Sequence, residues 1–306
     1  MMRLNGGFLA LFVSCLSLVQ VDIAAGEVRA VTYSPHAAQY GCHMNMGPTG
    51  ARAWMRGYHF VVVSVDQGSP AEGTLEPLDV VVAADGTEFG PDNDPRITLG
   101  NAIGRAEADG KPLRLTVFRG GEKRAVEVSL PHMGAYADTW PAECGKSRRI
   151  LDLACRRLAQ IQLPDGSIVT DGNMGTTLGG LLMLASENPA YLDGARRAAY
   201  AIADMERDPE VKNSNWTMGY GGLLLAEYYL ATGDDSVLDG LQTIVDYLCR
   251  GQMKSGGWGH NTPHGAYGTL NQVGVICAIT LTLAKECGMQ VDPEVLSRAH
   301  WFFGRF

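Results

Sequence analysis

The hydrophobic pattern of this chain changes period near its middle. Between residues 47 and 131, short apolar runs rich in β-branched residues alternate with turn signals, which predicts strands. The clearest runs are 59–65 and 78–84, the second closed by Asp85-Gly86. Runs 113–118 and 125–130 flank Arg119-Gly120-Gly121, a hairpin signal. Within the same stretch, Leu99, Ala102, Ile103 and Ala106 fall on one helical face, so 98–108 is expected as a helix. From Arg148 onward the period is helical throughout. Helices are expected at 147–161, 174–187, 190–206, 217–232, 234–252, 269–287 and 292–303, with stop-and-restart signals at Asn188-Pro189 and Gly233-Asp234-Asp235. The fold class is therefore α+β multidomain.

The helical half repeats itself. Met174-Gly175, Met218-Gly219 and Tyr267-Gly268 each follow a polar, Gly-containing loop and open a strongly apolar helix. A helix apolar on most faces must be buried, and a helix with one apolar stripe can cover it. Alternation of the two kinds predicts an inner and an outer ring of paired helices, an α/α toroid.

The first residues change the picture again. Arg3, the apolar run 8–21 and the small residues Ala24, Ala25 and Gly26 read as an export signal cleaved after Gly26. The expected organisation is a signal peptide at 1–26, a linker at 27–46, the β-rich domain at 47–131, a linker at 132–146 and the helical domain at 147–306. The protein is expected outside the cytoplasm (periplasmic, extracellular or at the cell surface), touching the membrane only through that segment if it stays uncleaved. A net charge of -8 with no Lys/Arg-rich block excludes nucleic acid as a partner. Of the six cysteines beyond the signal, Cys155, Cys249 and Cys277 lie in helical apolar patterns and read as buried thiols. Cys42 and Cys144 flank the β-rich domain and form the candidate disulfide.

Gly68-Ser69-Pro70-Ala71-Glu72-Gly73-Thr74-Leu75, followed by Pro77-Leu78-Asp79-Val80-Val81 and the Ala84-Asp85-Gly86 turn, resembles the core of exported bacterial PDZ domains. One departure stands out: Leu78 occupies a position where that family has glycine. The resemblance implies a module that adds an extended peptide as a strand and holds the peptide C-terminus in a Gly-rich loop. Gly47-Pro48-Thr49-Gly50 is the matching loop. Because Pro48 donates no amide, the donors are expected from Gly50, Ala51 and Arg52, with 51–55 as the accepting strand. The competing reading is a groove filled by the chain itself. Residues 42–46 (Cys-His-Met-Asn-Met) read as a short strand or linker, and no metal is expected there.

In the helical half, Gln252-x3-Gly256-x-Trp258 resembles the motif that ties neighbouring hairpins in squalene-cyclase and prenyltransferase-type toroids, and Gln162-x3-Gly166-x-Ile168 is a weaker copy. A PDZ module joined to such a repeat also resembles a domain-of-unknown-function family of bacterial secreted proteins. The helices amount to about three and a half pairs and the chain ends on apolar residues, so the sequence reads as truncated.

Candidate chemistry gathers where the inner helices begin, because free amides and helix dipoles converge there. Asp171, His260, His264 and Tyr267 are the candidate catalytic residues, and Asn173, Asn215, Trp216 and Trp258 the candidate pocket and stacking residues. A glycan-active hydrolase or lyase is the enzymatic reading, with Trp216 or Trp258 stacked on a sugar. No cofactor is expected. The alternative is a non-catalytic scaffold in which these side chains only lock the hairpins. The partners carried forward are peptide C-termini or extended peptides, and a glycan.

Overall fold

The structure, a computed structural model, describes residues 19–24, 27–32, 42–168, 173–205, 214–261 and 268–305. The chain divides into two compact units, Met1–Lys146 and Ser147–Phe306.

The first unit opens with a hairpin of β1 (Val19–Ala24) and β2 (Glu27–Thr32). Cleavage after Gly26 would separate these two strands. Its main sheet contains β3 (Cys42–Asn45), β4 (Ala51–Arg56), β5 (His59–Val65), β6 (Val80–Ala84), β8 (Leu113–Arg119) and β9 (Glu122–Val128), antiparallel and in that spatial order. The short β7 (Thr87–Glu88) pairs with β6. Both tight hairpins follow from left-handed turn residues: Asp85 and Gly86 at φ 47° and 78°, Gly120 and Gly121 at 61° and 87°. All five residues of β6 are buried, as their continuous apolar run requires. Helix α1 (Pro95–Asp109) is capped by Asp94, whose side chain accepts from the Arg96 amide, and ends at Gly110 with φ 67°. It turns Leu99, Ala102, Ile103 and Ala106 into a core with Phe60, Val81, Leu115 and Val117.

Strand β6 starts later than the apolar run suggested. Leu78 adopts φ 77°, the left-handed conformation of the glycine it replaces, so the chain is still turning there. The turn is held in place by its neighbours. The Leu78 amide donates to the Val62 carbonyl at 2.8 Å, and buried Asp79 accepts two 2.7 Å hydrogen bonds from the Arg119 guanidinium.

The second unit contains the seven expected helices: α2 (Gly145–Ile161), α3 (Asn173–Ala185), α4 (Pro189–Met205), α5 (Asn215–Thr232), α6 (Leu238–Gly251), α7 (Asn271–Glu286) and α8 (Pro293–Phe303). Helix α6 begins four residues late because Asp235–Val237 forms a 3-10 turn capped by Asp234. Helices α3, α5 and α7 pack in series, while α4 packs on α3 and α5, α6 on α5 and α7, and α8 on α7. Glycine permits the close inner packing: a Cβ at Gly222 would stand 2.4 Å from Thr280 Cγ2. Asp234 accepts hydrogen bonds from the Tyr200 and Tyr228 hydroxyls at 2.7 and 2.9 Å, joining α4 to α5. Those donors hold its carboxyl well below the usual range, whereas burial raises Tyr228.

The two Gln-x3-Gly loops are the same structure used twice. Gln162 Nε2 donates to the Gly166 and Gly194 carbonyls at 3.0 and 2.9 Å. Gln252 Nε2 donates to the Gly256 and Val295 carbonyls at 2.9 and 2.8 Å. Each glutamine thus closes its own loop and grips another helix, α4 for Gln162 and α8 for Gln252. Ile168 and Trp258 follow, both fully buried. The copies differ at one atom. Gln252 Oε1 accepts from Arg298, whereas Gln162 Oε1 is buried with no hydrogen-bond partner among the described residues.

Candidate functional site

The first candidate site is the edge of β4 with the turn before it. Gly47–Thr49 forms a 3-10 turn with Pro48 in its first turn, closed by Gly50 at φ 75°. A Cβ on Gly50 would sit 2.2 Å from Ser69 Cβ, so glycine is required here by packing as well as by φ. Thr49 is fully buried. Its hydroxyl donates to the Met46 carbonyl at 2.9 Å and accepts from the Ala51 amide at 3.1 Å. The Gly50 amide donates back to the Gly47 carbonyl at 3.3 Å.

These bonds correct two expectations. The Gly50 and Ala51 amides, expected to grip a peptide carboxylate, already donate within the turn. Strand β4, expected as an open accepting edge, is paired on both sides: β5 lies on one flank and β3 on the other. The β3 register runs Cys42↔Met55, His43↔Trp54, Met44↔Ala53 and Asn45↔Arg52. Arg52 is exposed and lies 3.5 Å from Asp66. Apolar side chains line the inner side: Met46, Leu99 and Ile103 share one core cluster with Ala51 and Ala53. Beyond the far end of β4, a depression of about 400 Å³ is lined by Met55, Tyr58, Asp92, Asn93, Asp94 and Arg96. There the Arg96 guanidinium and amide hold the Asp94 carboxyl down at about 2.

The second candidate site is where α3, α5 and α7 begin. Ser214 caps α5, its side chain bonded to the Thr217 amide. Asn215, fully buried, donates its amide to the His260 carbonyl at 2.9 Å and its side-chain Nδ2 to the Gly259 carbonyl at 2.8 Å. The Trp216 indole donates to His260 Nδ1 at 2.8 Å, which leaves the imidazole proton on Nε2. Trp216 also lies parallel to Tyr220, with ring centroids 6.1 Å apart. These side chains tie the start of α5 to the loop that leads toward α7.

The predicted residues divide accordingly. Asn215, Trp216 and His260 come together as one bonded cluster. Asn173 opens α3 and is half-buried. Trp258 is no stacking platform: it is 0% exposed, its indole N–H donates to the Leu248 carbonyl at 2.8 Å, and no ring face is left for a sugar. Asp171, His264 and Tyr267 lie outside the described residues. Of the nominated catalytic residues, His260 alone lies among the described residues, and its Nδ1 is engaged by Trp216. Among the described residues no group of three His, Cys, Asp or Glu could hold a metal ion, and no helix is long and apolar enough to cross a membrane. Cys155, Cys277 and Cys287 are buried thiols, and burial raises their pKa values, so they behave as small apolar groups. Cys144 is buried too and accepts the Ala137 amide, while the side chain of its candidate partner Cys42 is not among those described.

The feature that the sequence reading left open is the partner of β4, and of its two readings the structure favours the groove filled by the chain itself. Its signal was present in the alternation of 42–46 followed directly by Gly-Pro, which marks a strand entering a tight turn. Comparison with known families agrees with both halves of the fold. Residues 47–130 match the PDZ domain, a protein-interaction module, and residues 147–306 match a domain of unknown function, DUF6288. No curated protein and no solved structure matches the chain. Since the second match spans just over half of its length, the chain belongs to the DUF6288 family.

Proposed function

We propose that this is an exported interaction protein: its PDZ unit binds an extended peptide segment of a partner, and its helical unit is a scaffold rather than an enzyme. The observation that carries the reading is the β4–turn–α1 arrangement, in which a flank of β4 beside apolar Met46, Leu99 and Ile103 accepts an added strand and is held by the short β3. The scaffold half is supported by the Asn215, Trp216 and His260 cluster, whose polar atoms are bonded to one another and to backbone. The paired helices and the repeated glutamine lock are consistent with an arc of an α/α toroid. Export rests on the charged and apolar character of residues 1–26.

The test is a displayed random-peptide library, with a glycan panel in parallel, against the purified full chain lacking only what the cell removes. Peptides that bind saturably, with no glycan bound or cleaved, are expected. Glycan binding or turnover without peptide binding would overturn the reading. The N-terminal residue of chain recovered from the medium or periplasm tests export, with Glu27 expected.

A further inference from the structure

We propose that β3 is a built-in stand-in for the ligand, and that the β4 edge receives, in exchange for β3, an extended partner segment with apolar side chains two residues apart. This rests on the peptide-binding reading above and names the kind of peptide.

Three observations carry it. The first is direction. Strand β3 is antiparallel to β4 and runs into the Gly47–Thr49 turn, so it lies where an added strand would lie and ends where such a strand would end. The second is that the sheet does not depend on β3 for its pairing. Strands β5, β6 and β8 supply Phe60, Val62, Val81, Leu113, Leu115 and Val117, and each is paired on both sides. Strand β3 has four residues, stands last in the sheet among the described residues, and is bonded on one side only. Its departure withdraws Met44 and buried Met46 from the cluster, which the entering apolar side chains refill, and leaves the pairing of β5, β6 and β8 intact.

The third observation is the shape of the seat. Met44 stands opposite Ala53, and Met46, bonded through its amide to the Ala51 carbonyl, is buried in the core. Asn45 between them is exposed, opposite exposed Arg52. The seat is thus read as apolar, polar, apolar along the entering strand. Ala51 and Ala53 are small and fully buried, which leaves depth for long unbranched side chains such as methionine or leucine. Because the Gly50 and Ala51 amides are already bonded within the turn, the seat does not depend on a free carboxylate. An internal segment of a partner fits as well as a terminus.

The experiment uses the full chain and a fluorescent, acetylated and amidated peptide copying residues 41–46 with serine for Cys42. Anisotropy titrations compare wild type, Met44→Pro, and Met55→Cys. Proline at position 44 weakens β3 pairing and lowers its competition for the seat. Met55 is in register with Cys42, so Met55→Cys places two cysteines within reach of a disulfide that locks β3 onto β4. Mass spectrometry of the digest verifies that crosslink.

Tethered β3 competes at an effective concentration on the order of millimolar, so the Met44→Pro chain should bind the peptide at least about tenfold more tightly than wild type. Oxidised Met55→Cys should not bind it, and reduction should restore wild-type behaviour. A peptide with serine in place of both methionines should not bind Met44→Pro. No gain in the Met44→Pro chain, or equal binding by the oxidised and reduced forms of Met55→Cys, overturns the proposal. The reduced-against-oxidised comparison stands even if Met44→Pro fails to fold. Library peptides that bind the locked and unlocked forms equally would leave peptide binding standing and sink the exchange. Failure of every library peptide, with the copy peptide behaving as expected, would leave β3 exchangeable but sink a partner segment as its replacement.

Discussion

Leu78 offers a sign test of the backbone argument. At φ 77° a residue with a Cβ pays about 1–2 kcal/mol that glycine does not. Replacing leucine directly by glycine mixes this relief with loss of a side chain that is 48% exposed and so still half-packed. The informative comparison is Leu78→Ala against Leu78→Gly, since both lose that packing and only glycine escapes the strain. Glycine gives back about 0.4–1 kcal/mol through the greater freedom of its unfolded chain. The Gly variant should therefore be more stable than the Ala variant by about 0.5–1 kcal/mol. At an ordinary exposed helical position such as Asn101 in α1, the order reverses, with glycine worse than alanine by about 1 kcal/mol. Hydrogen exchange of the β5 and β8 amides in a urea series reads global opening of the first unit without interference from the helical unit. An alanine variant as stable as the glycine variant would refute the strain argument, and with it the claim that Val62, Asp79 and Arg119 force the turn.

Other consequences follow from the loops and the buried groups. Gly256→Ala should cost the helical unit at least about 2 kcal/mol, because φ is 95° and the new Cβ would stand 2.4 Å from the Arg298 carbonyl oxygen. Gly268→Ala, at φ 72° with no described atom within 4 Å of the new Cβ, should cost less, and thermal unfolding ranks the two. Trp258→Ala should lose about 3–5 kcal/mol, measured by urea denaturation, and an unchanged midpoint would contradict its role as a core lock. His59 is 8% exposed, its Nδ1 has no hydrogen-bond partner among the described residues, and burial, partly opposed by Glu88, pushes its pKa below the ordinary value. The unfolded histidine takes its proton first, so this contribution to stability is complete above about pH 6.5 and is lost as pH falls below it. His59→Gln should flatten stability between pH 7 and 5, and an unchanged slope in the variant would refute the assignment.

Much of this protein was legible because its signals are local. Asp-Gly and Gly-Gly favour a two-residue hairpin turn with little help from their surroundings, and the 85–86 and 120–121 turns form accordingly. Helical period alone located α2 to α8, but burial is less complete than the apolar runs suggested: Leu178, Val275 and Ile279 stay exposed. Even the weaker glutamine loop at 162–168 folds like the stronger one, because the grip comes from glutamine and a left-handed glycine, and Ile168 fills the core in place of tryptophan. What the sequence by itself determined is therefore the helices, the longer strands of the PDZ unit and its two tight turns, while β1, β2 and β7 were not read from it.

Tertiary structure decided which groups remain free to act, since one hydrogen-bond donor serves one acceptor and the acceptor is set by long-range packing. Asn215 and Trp216 meet Gly259 and His260 from 44 residues away, and no periodicity states that pairing. Trp258 is aromatic and follows a loop, as a ligand platform would, yet the Leu248 carbonyl and the core enclose it. The pattern at 42–46 announces a strand, but a strand has two edges and an antiparallel partner can take either. Only the folded sheet places that strand on the flank of β4 where a peptide would add, turning an expected open groove into an occupied one.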